Sequence, residues 1–227
     1  IRTKAFLGEA QSSMAANRAN TALVHHGGKL LALYEAGLPT EVSLPELDTV
    51  GEWDFGGSLR RPMSAHPKID PSTGELCFVS YFFFPPYLTY HVVAPDGASM
   101  RTLEIPVQRP TMMHDFQLTP RHVVLMDLPV LFDLERLQST GTPFRWAPEH
   151  GARIGLLRRD APDASGVQWF DVDTCFVFHT FNAYEDAEGS VVLEGCRMPS
   201  IWERGDIDHI PNPGVPWRWT LSPGTGR

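Results

Sequence analysis

Apolar residues along this chain fall into short runs, and each run is closed by a glycine, proline or aspartate break. TALVHH, the Gly27-Gly28 pair and KLLALYEAG predict two strands around a glycine turn. SAHPKIDPSTGELCFVSYFFF predicts a proline-containing turn at residues 70–74 and then an aromatic strand. LTYHVVAPDGASMRTLEIPV predicts a strand pair around Pro95-Asp96-Gly97, and FQLTPRHVVLMDL another pair turning at Thr119-Pro120. LFDLERL fits either a short helix or an apolar loop, while STGTPFRWAPEHG reads as loop. Alternation returns in RIGLLRR, VQWFDV, TCFVFHTF and SVVLEGCR, and from Arg204 on the pattern predicts no clear terminal strand. The 20 prolines and 19 glycines break the chain too often for long helices. Short strands with regular turn signals predict an all-β sandwich, barrel or propeller. A propeller needs a recurring unit of ~40–50 residues, and no textual repeat decides the choice.

Composition narrows the partners more than the fold. The 227 residues are 42% hydrophobic and 20% charged, a globular balance, and a single domain is expected over residues 1–227. A formal net charge of −8 gives no electrostatic footprint for nucleic acid. Cys77, Cys175 and Cys196 form no CxxC pair and are odd in number, which fits a reducing compartment. No run approaches the ~18 apolar residues of a membrane span, and FFFPPYL is broken by Pro85 and Pro86. The chain opens on Ile1 without a charged and apolar leader, so it is expected to be processed or to lack a leading segment, and to be cytoplasmic.

Candidate chemistry rests on the nine histidines. Taken singly, each reads as a surface or strand-end residue. Spacing singles out His66, His114 and His179, which are 48 and 65 residues apart. Each sits at the edge of an apolar strand, in SAHPK, TMMHDF and FVFHTF. If successive propeller blades each supply an inner-strand residue, these three converge on one axis. Imidazole suits iron, zinc, copper and nickel alike. HExxH, GxSxG, GxGxxG and Walker sequences are absent, which leaves zincin, serine-hydrolase and nucleotide-binding readings without support.

Five segments in order carry a family resemblance: ANTALVHHGGKLLALYEAGLPTEV, MSAHPKIDPSTGEL, PTMMHDFQLTP with LMDLP, RIGLLRRD with VQWFDV, and FHTFNAYED. Over residues 20–200 the chain resembles the carotenoid cleavage oxygenase family, which includes apocarotenoid oxygenases, stilbene-cleaving oxygenases and the retinal pigment epithelium isomerase. The resemblance implies an all-β, seven-bladed β-propeller, of which this chain carries about half the blades. It implies a non-haem Fe(II) held by histidines and cleavage of a carbon–carbon double bond by O₂ to carbonyl products. His66, His114 and His179 carry over as iron ligands, and Glu35 in LALYEAG as the carboxylate that takes the outer N–H of His114.

Nothing after His179 matches the family's fourth histidine, and His209 in DIDHIPN has neither its position nor its neighbours. Three ligands predict weak iron binding, and they leave open self-association, a missing C-terminal half, or a catalytically incompetent propeller segment that serves as a binding or assembly module. Stilbene-cleaving members have a lysine just before the glutamate; Tyr34 stands there in this chain and leans the reading toward an apolar polyene. Phe82, Phe83, Phe84 and Tyr87 read first as blade core, and Tyr34 and Phe83 second as substrate lining. Residues 128–137, LPVLFDLERL, match a membrane-touching loop of some members, but Glu135 and Arg136 favour a plain buried loop. His25 and His26 read as hairpin ends, His91, His122 and His150 as exposed or satisfied in the core. Asp115 reads as a residue that bonds backbone or caps its turn.

Overall fold

The computed structural model describes residues 17–202 and 213–224, so His209, with the rest of 203–212 and 225–227, lies outside the described residues. Among these residues the strands form five sheets, three of them four-stranded. The chain divides into two compact units. One takes in the residues up to Ser80 together with 91–102, the other residues 81–90 and those from Leu103 onward.

The first unit begins with β1 (Ala22–His26), β2 (Lys29–Leu33), β3 (Thr40–Val42) and β4 (Thr49–Glu52), hydrogen-bonded in sequence order. The β1–β2 turn needs its glycines. Gly27 and Gly28 both have positive φ, the geometry of the two-residue hairpin turn. A Cβ on Gly27 would also come within 3.0 Å of the backbone at Asp96 and Gly97. A second sheet runs β5 (Lys68–Ile69), β6 (Leu76–Tyr81), β7 (Leu88–Val93) and β8 (Met100–Glu104). Leu31, Leu33, Phe55, Met63, Leu76 and Phe78 form the core of this unit. His91 is buried, stacks on Phe78 at 4.6 Å and bonds Thr102 Oγ1 through Nδ1; desolvation pulls its pKa down to about 4.

The second unit is built on β9 (Gln117–Leu118), β10 (His122–Asp127), β13 (Ala152–Arg158) and β14 (Gln168–Val172), in the order β14-β13-β10-β9. All six residues of β10 are buried, so its centre, VVLM, is a continuous apolar run rather than an alternation. β15 (Phe176–Glu185), β16 (Val191–Met198) and β17 (Val215–Leu221) form a three-stranded sheet.

The helix reading of LFDLERL holds, and several other local expectations are corrected. LERLQST is helix α1 (Leu134–Thr140), capped by the Asp133 side chain on the Arg136 amide and closed by Gly141 at φ 76°. In LPVLFDLERL the buried Leu128 and Pro129 are loop as expected, but Val130 and Leu131 are buried in strand β11 (Val130–Phe132), and α1 buries no residue. The loop-like STGTPFRWAPEHG contains β12 (Phe144–Trp146), paired with β11, and a 3-10 turn at Pro148–His150. β17 supplies the terminal strand that the Pro- and Gly-rich pattern conceals; its pairing with β16 runs unbroken from Val191 opposite Leu221 to Arg197 opposite Val215. Phe82, Phe83 and Tyr87 are only half-buried and Phe84 is 45% exposed, so these rings are not blade core. Among the described residues no helix is long and apolar enough to cross a membrane.

Candidate metal centre

His179 owes its placement to a break in a strand. β15 and β16 pair Val177 with Arg197 and then Thr180 with Gly195, so Phe178 and His179 together face Cys196 alone. Such a bulge bends its strand and re-aims the side chains on it. A second irregularity follows between Thr180 and Asn182. Gly195 lets the bulged strand close: a Cβ there would meet Val177 Cγ1 at 3.3 Å and the His179 carbonyl at 3.4 Å.

His114 comes from the irregular segment that leads into β9, and its Nε2 lies 3.2 Å from His179 Nε2. The Phe178 ring stands edge-on to His114, with centroids 5.4 Å apart. From Phe178 a run of ring contacts leads away from the histidines. Trp202 lies 5.8 Å from Phe178, Phe144 6.0 Å from Trp202, and Phe132 4.7 Å from Phe144. Phe83 follows at 5.9 Å from Phe132, then the half-exposed Phe84 at 4.6 Å from Phe83.

Two carboxylates tie the His114 segment to the His179 strand. Asp115 is 3% exposed; its Oδ1 accepts the Phe116 amide at 2.9 Å, and its Oδ2 accepts the Thr180 amide at 2.9 Å and Thr180 Oγ1 at 2.6 Å. Gln117 Nε2 donates to Thr180 Oγ1 at 2.8 Å. At the far end of β15, Glu185 accepts Thr119 Oγ1 at 2.6 Å, the Arg121 amide at 3.0 Å and the Arg121 guanidinium, and pairs with His122 Nδ1 at 3.1 Å. Desolvation pushes the Glu185 carboxyl up, but the bonds from Thr119, Arg121 and His122 outweigh it and hold the group at about 2.

His66 sits in the first unit, half-buried in the irregular segment just before β5. Glu35 and Tyr34 lie half-buried in the turn after β2, closed by the Gly37 amide on the Tyr34 carbonyl. Within the second unit His114 and His179 offer ligand nitrogens close enough to hold one metal ion. The other described histidines stand elsewhere. His26 Nε2 bonds the Gly74 carbonyl, and His25 is exposed in β1. His122 pairs with Glu185, and His150 with the fully buried Asp127.

Reading Asp115 as a turn residue captures only its Oδ1 bond and misses the bond across to Thr180. The sequence does hold a signal, since Asp115 and Thr180 each directly follow a candidate ligand. Glu185 stands in the sequence only as part of the FHTFNAYED motif, with no cue to its partners.

The model of the retinal pigment epithelial membrane protein family matches residues 2–227. A carotenoid 9,10(9',10')-cleavage dioxygenase of Arabidopsis thaliana is 41% identical, over 85% of this chain and 36% of its own length. A carotenoid cleavage oxygenase of Mycobacterium tuberculosis is 34% identical, over 91% of this chain and 50% of its own length. Among solved structures, a lignostilbene dioxygenase of Pseudomonas brassicacearum superposes with a TM-score of 0.82 at 33% identity, covering 92% of this chain and 46% of that one. A cobalt-substituted Synechocystis ACO superposes with a TM-score of 0.74 at 28% identity, covering 92% and 47%. The chain thus spans half or less of the length of these relatives, and its sheets are the blades of part of their β-propeller.

Proposed function

The chain belongs to the retinal pigment epithelial membrane protein family, and we propose that it serves as a non-haem Fe(II) dioxygenase that cleaves a carbon–carbon double bond of a carotenoid, apocarotenoid or stilbene-like molecule. The relatives named for carotenoid cleavage and for lignostilbene oxidation support the reaction class. His66, His114 and His179 hold the metal, and Glu35 takes the outer N–H of a ligand histidine, which fixes its tautomer and raises its basicity.

The proposal rests above all on the 3.2 Å approach of His114 Nε2 to His179 Nε2. Metal–imidazole bonds of ~2.1 Å at right angles place two ligand nitrogens about 3 Å apart, so this pair has the spacing of adjacent ligands. Neutral imidazoles suit a divalent first-row metal, and the cobalt-substituted relative is named for such an ion. When bound, the iron supplies the redox chemistry by which O₂ splits an alkene into two carbonyl products. Both oxygen atoms end in the products, so no external reductant is required.

The protein's own part is ligand geometry and substrate register. The ring run from Phe84 through Phe83, Phe132, Phe144 and Trp202 to Phe178 offers π faces and little hydrogen bonding. Such faces suit a conjugated apolar molecule. Tyr34 stands where the resemblance to stilbene-cleaving members implies a lysine, and so favours a polyene.

The test loads the chain anaerobically with Fe(II), adds an apocarotenoid or a stilbene, admits O₂ and identifies products by mass spectrometry. Two carbonyl products, one O₂ consumed per alkene cleaved, and loss of both in His114→Ala and His179→Ala are expected. An iron-loaded chain that yields no carbonyl product from either substrate class overturns the proposal.

A further inference from the structure

A carboxylate is costly to bury unless hydrogen bonds replace its water, and Asp115 meets that demand from two separate segments. One donor is the Phe116 amide on its own segment. Two more, the amide and hydroxyl of Thr180, belong to β15. The tie therefore joins the residue after His114 to the residue after His179. Thr180 pairs with Gly195 but is flanked by a register shift on each side, so the sheet holds the backbone there only by that one pair. Holding Thr180 by both its amide and its hydroxyl fixes the rotation of the strand, and neighbouring side chains on a strand leave it in opposite directions. The angle of His179 follows. Gln117 completes the arrangement by donating to the Thr180 hydroxyl, which in turn donates to Asp115.

We propose that Asp115, acting through Thr180 and Gln117, is a positioning residue that sets the spacing of the His114 and His179 nitrogens and so tunes metal affinity. The role in affinity rests on the metal-centre reading above; the spacing itself rests on the hydrogen bonds. Asp115 touches neither substrate nor metal in this scheme. Its work is to hold the ligand pair at 3.2 Å before any metal arrives.

The test titrates the full chain with Co(II) alone and follows the visible ligand-field bands. It compares the wild type with Asp115→Asn, Thr180→Val and Thr180→Ser. Asparagine turns an NH₂ toward one set of donors, valine keeps the shape of threonine without its hydroxyl, and serine restores the hydroxyl. Outer partners of metal sites typically contribute ~10–100-fold in affinity. Asp115→Asn and Thr180→Val should bind Co(II) about 10-fold more weakly, with shifted bands, while Thr180→Ser follows the wild type. If Asp115→Asn does not fold, Thr180→Val carries the comparison. Unchanged affinity and bands in the folded variants overturn the proposal. A wild-type chain that takes up no Co(II) sinks the metal-centre reading instead. The spacing role is then decided by hydrogen exchange at the Thr180 amide without metal: faster exchange in Asp115→Asn sustains it, and unchanged exchange overturns it.

Discussion

Replacing Glu185 by glutamine should weaken the fold strongly at neutral pH and hardly at all in acid. The Glu185 side chain is 8% exposed and gathers Thr119, the Arg121 amide and guanidinium, and His122, all from the β9–β10 turn. It therefore fastens the end of β15 to the segment that follows His114. Its pKa falls from 4.5 to about 2, because the hydrogen bonds outweigh a desolvation that acts the other way. At ~1.4 kcal/mol per pKa unit the ionised carboxylate contributes about 3 kcal/mol. Screening at Arg121, whose side chain is 55% exposed, reduces this to about 2–3 kcal/mol. A depressed carboxylate stabilises the fold fully above its unfolded pKa of about 4.5, and that contribution is lost as pH falls toward about 2. Urea unfolding of wild type and Glu185→Gln at pH 7 and near pH 2.5 measures this directly. The gap between them should be about 2–3 kcal/mol at pH 7 and well under half of that at the lower pH. A gap that stays constant between the two conditions would show that glutamine disturbs packing and that the charge contributes nothing.

Two further substitutions test the sheet that supports β9. Asp127 is fully buried, accepts two bonds from Arg153 at 2.8 and 2.7 Å and one from His150 at 3.0 Å, so Asp127→Ala should cost about 3–5 kcal/mol in chemical denaturation. Burial raises the Asp127 pKa but His150 and Arg153 hold it below the usual carboxylate range, so the penalty should shrink as pH falls beneath that range. Gly155 lies opposite Trp169 in the β13–β14 register, and a Cβ there would sit 2.6 Å from the indole ring. Gly155→Ala should push that ring off the Arg153 guanidinium, now 4.3 Å from its centroid, lower the stability by about 1–3 kcal/mol and alter the tryptophan fluorescence.

Period-two patterning and turn residues make the hairpins legible. Gly27-Gly28, residues 70–74, Pro95-Asp96-Gly97 and Thr119-Pro120 all lie between the strands expected around them. Where patterning fails, tertiary pairing overrides composition. Val215, Pro216 and Trp217 look like loop, yet β16 offers an edge that takes them in register. FRW in β12 is a strand only because β11 lies beside it. The aromatic cluster at residues 82–84 misleads because large apolar side chains imply core, whereas these rings stack on one another and remain partly exposed. At the candidate site the histidines are readable from spacing and family motifs. The ties that position them are not, because Asp115 meets Thr180 across 65 residues and Glu185 meets Thr119 across 66. No local pattern encodes a contact of that separation, and the bulge at His179 has no sequence mark beyond the glycine at 195 opposite it.

Iron per folded chain after anaerobic equilibration with Fe(II) and gel filtration bears most directly on the metal centre. Iron should be bound by the wild type and lost in each of His66→Ala, His114→Ala and His179→Ala, with circular dichroism unchanged. Iron retained at the wild-type level in His114→Ala and His179→Ala would contradict the assignment of these histidines as ligands.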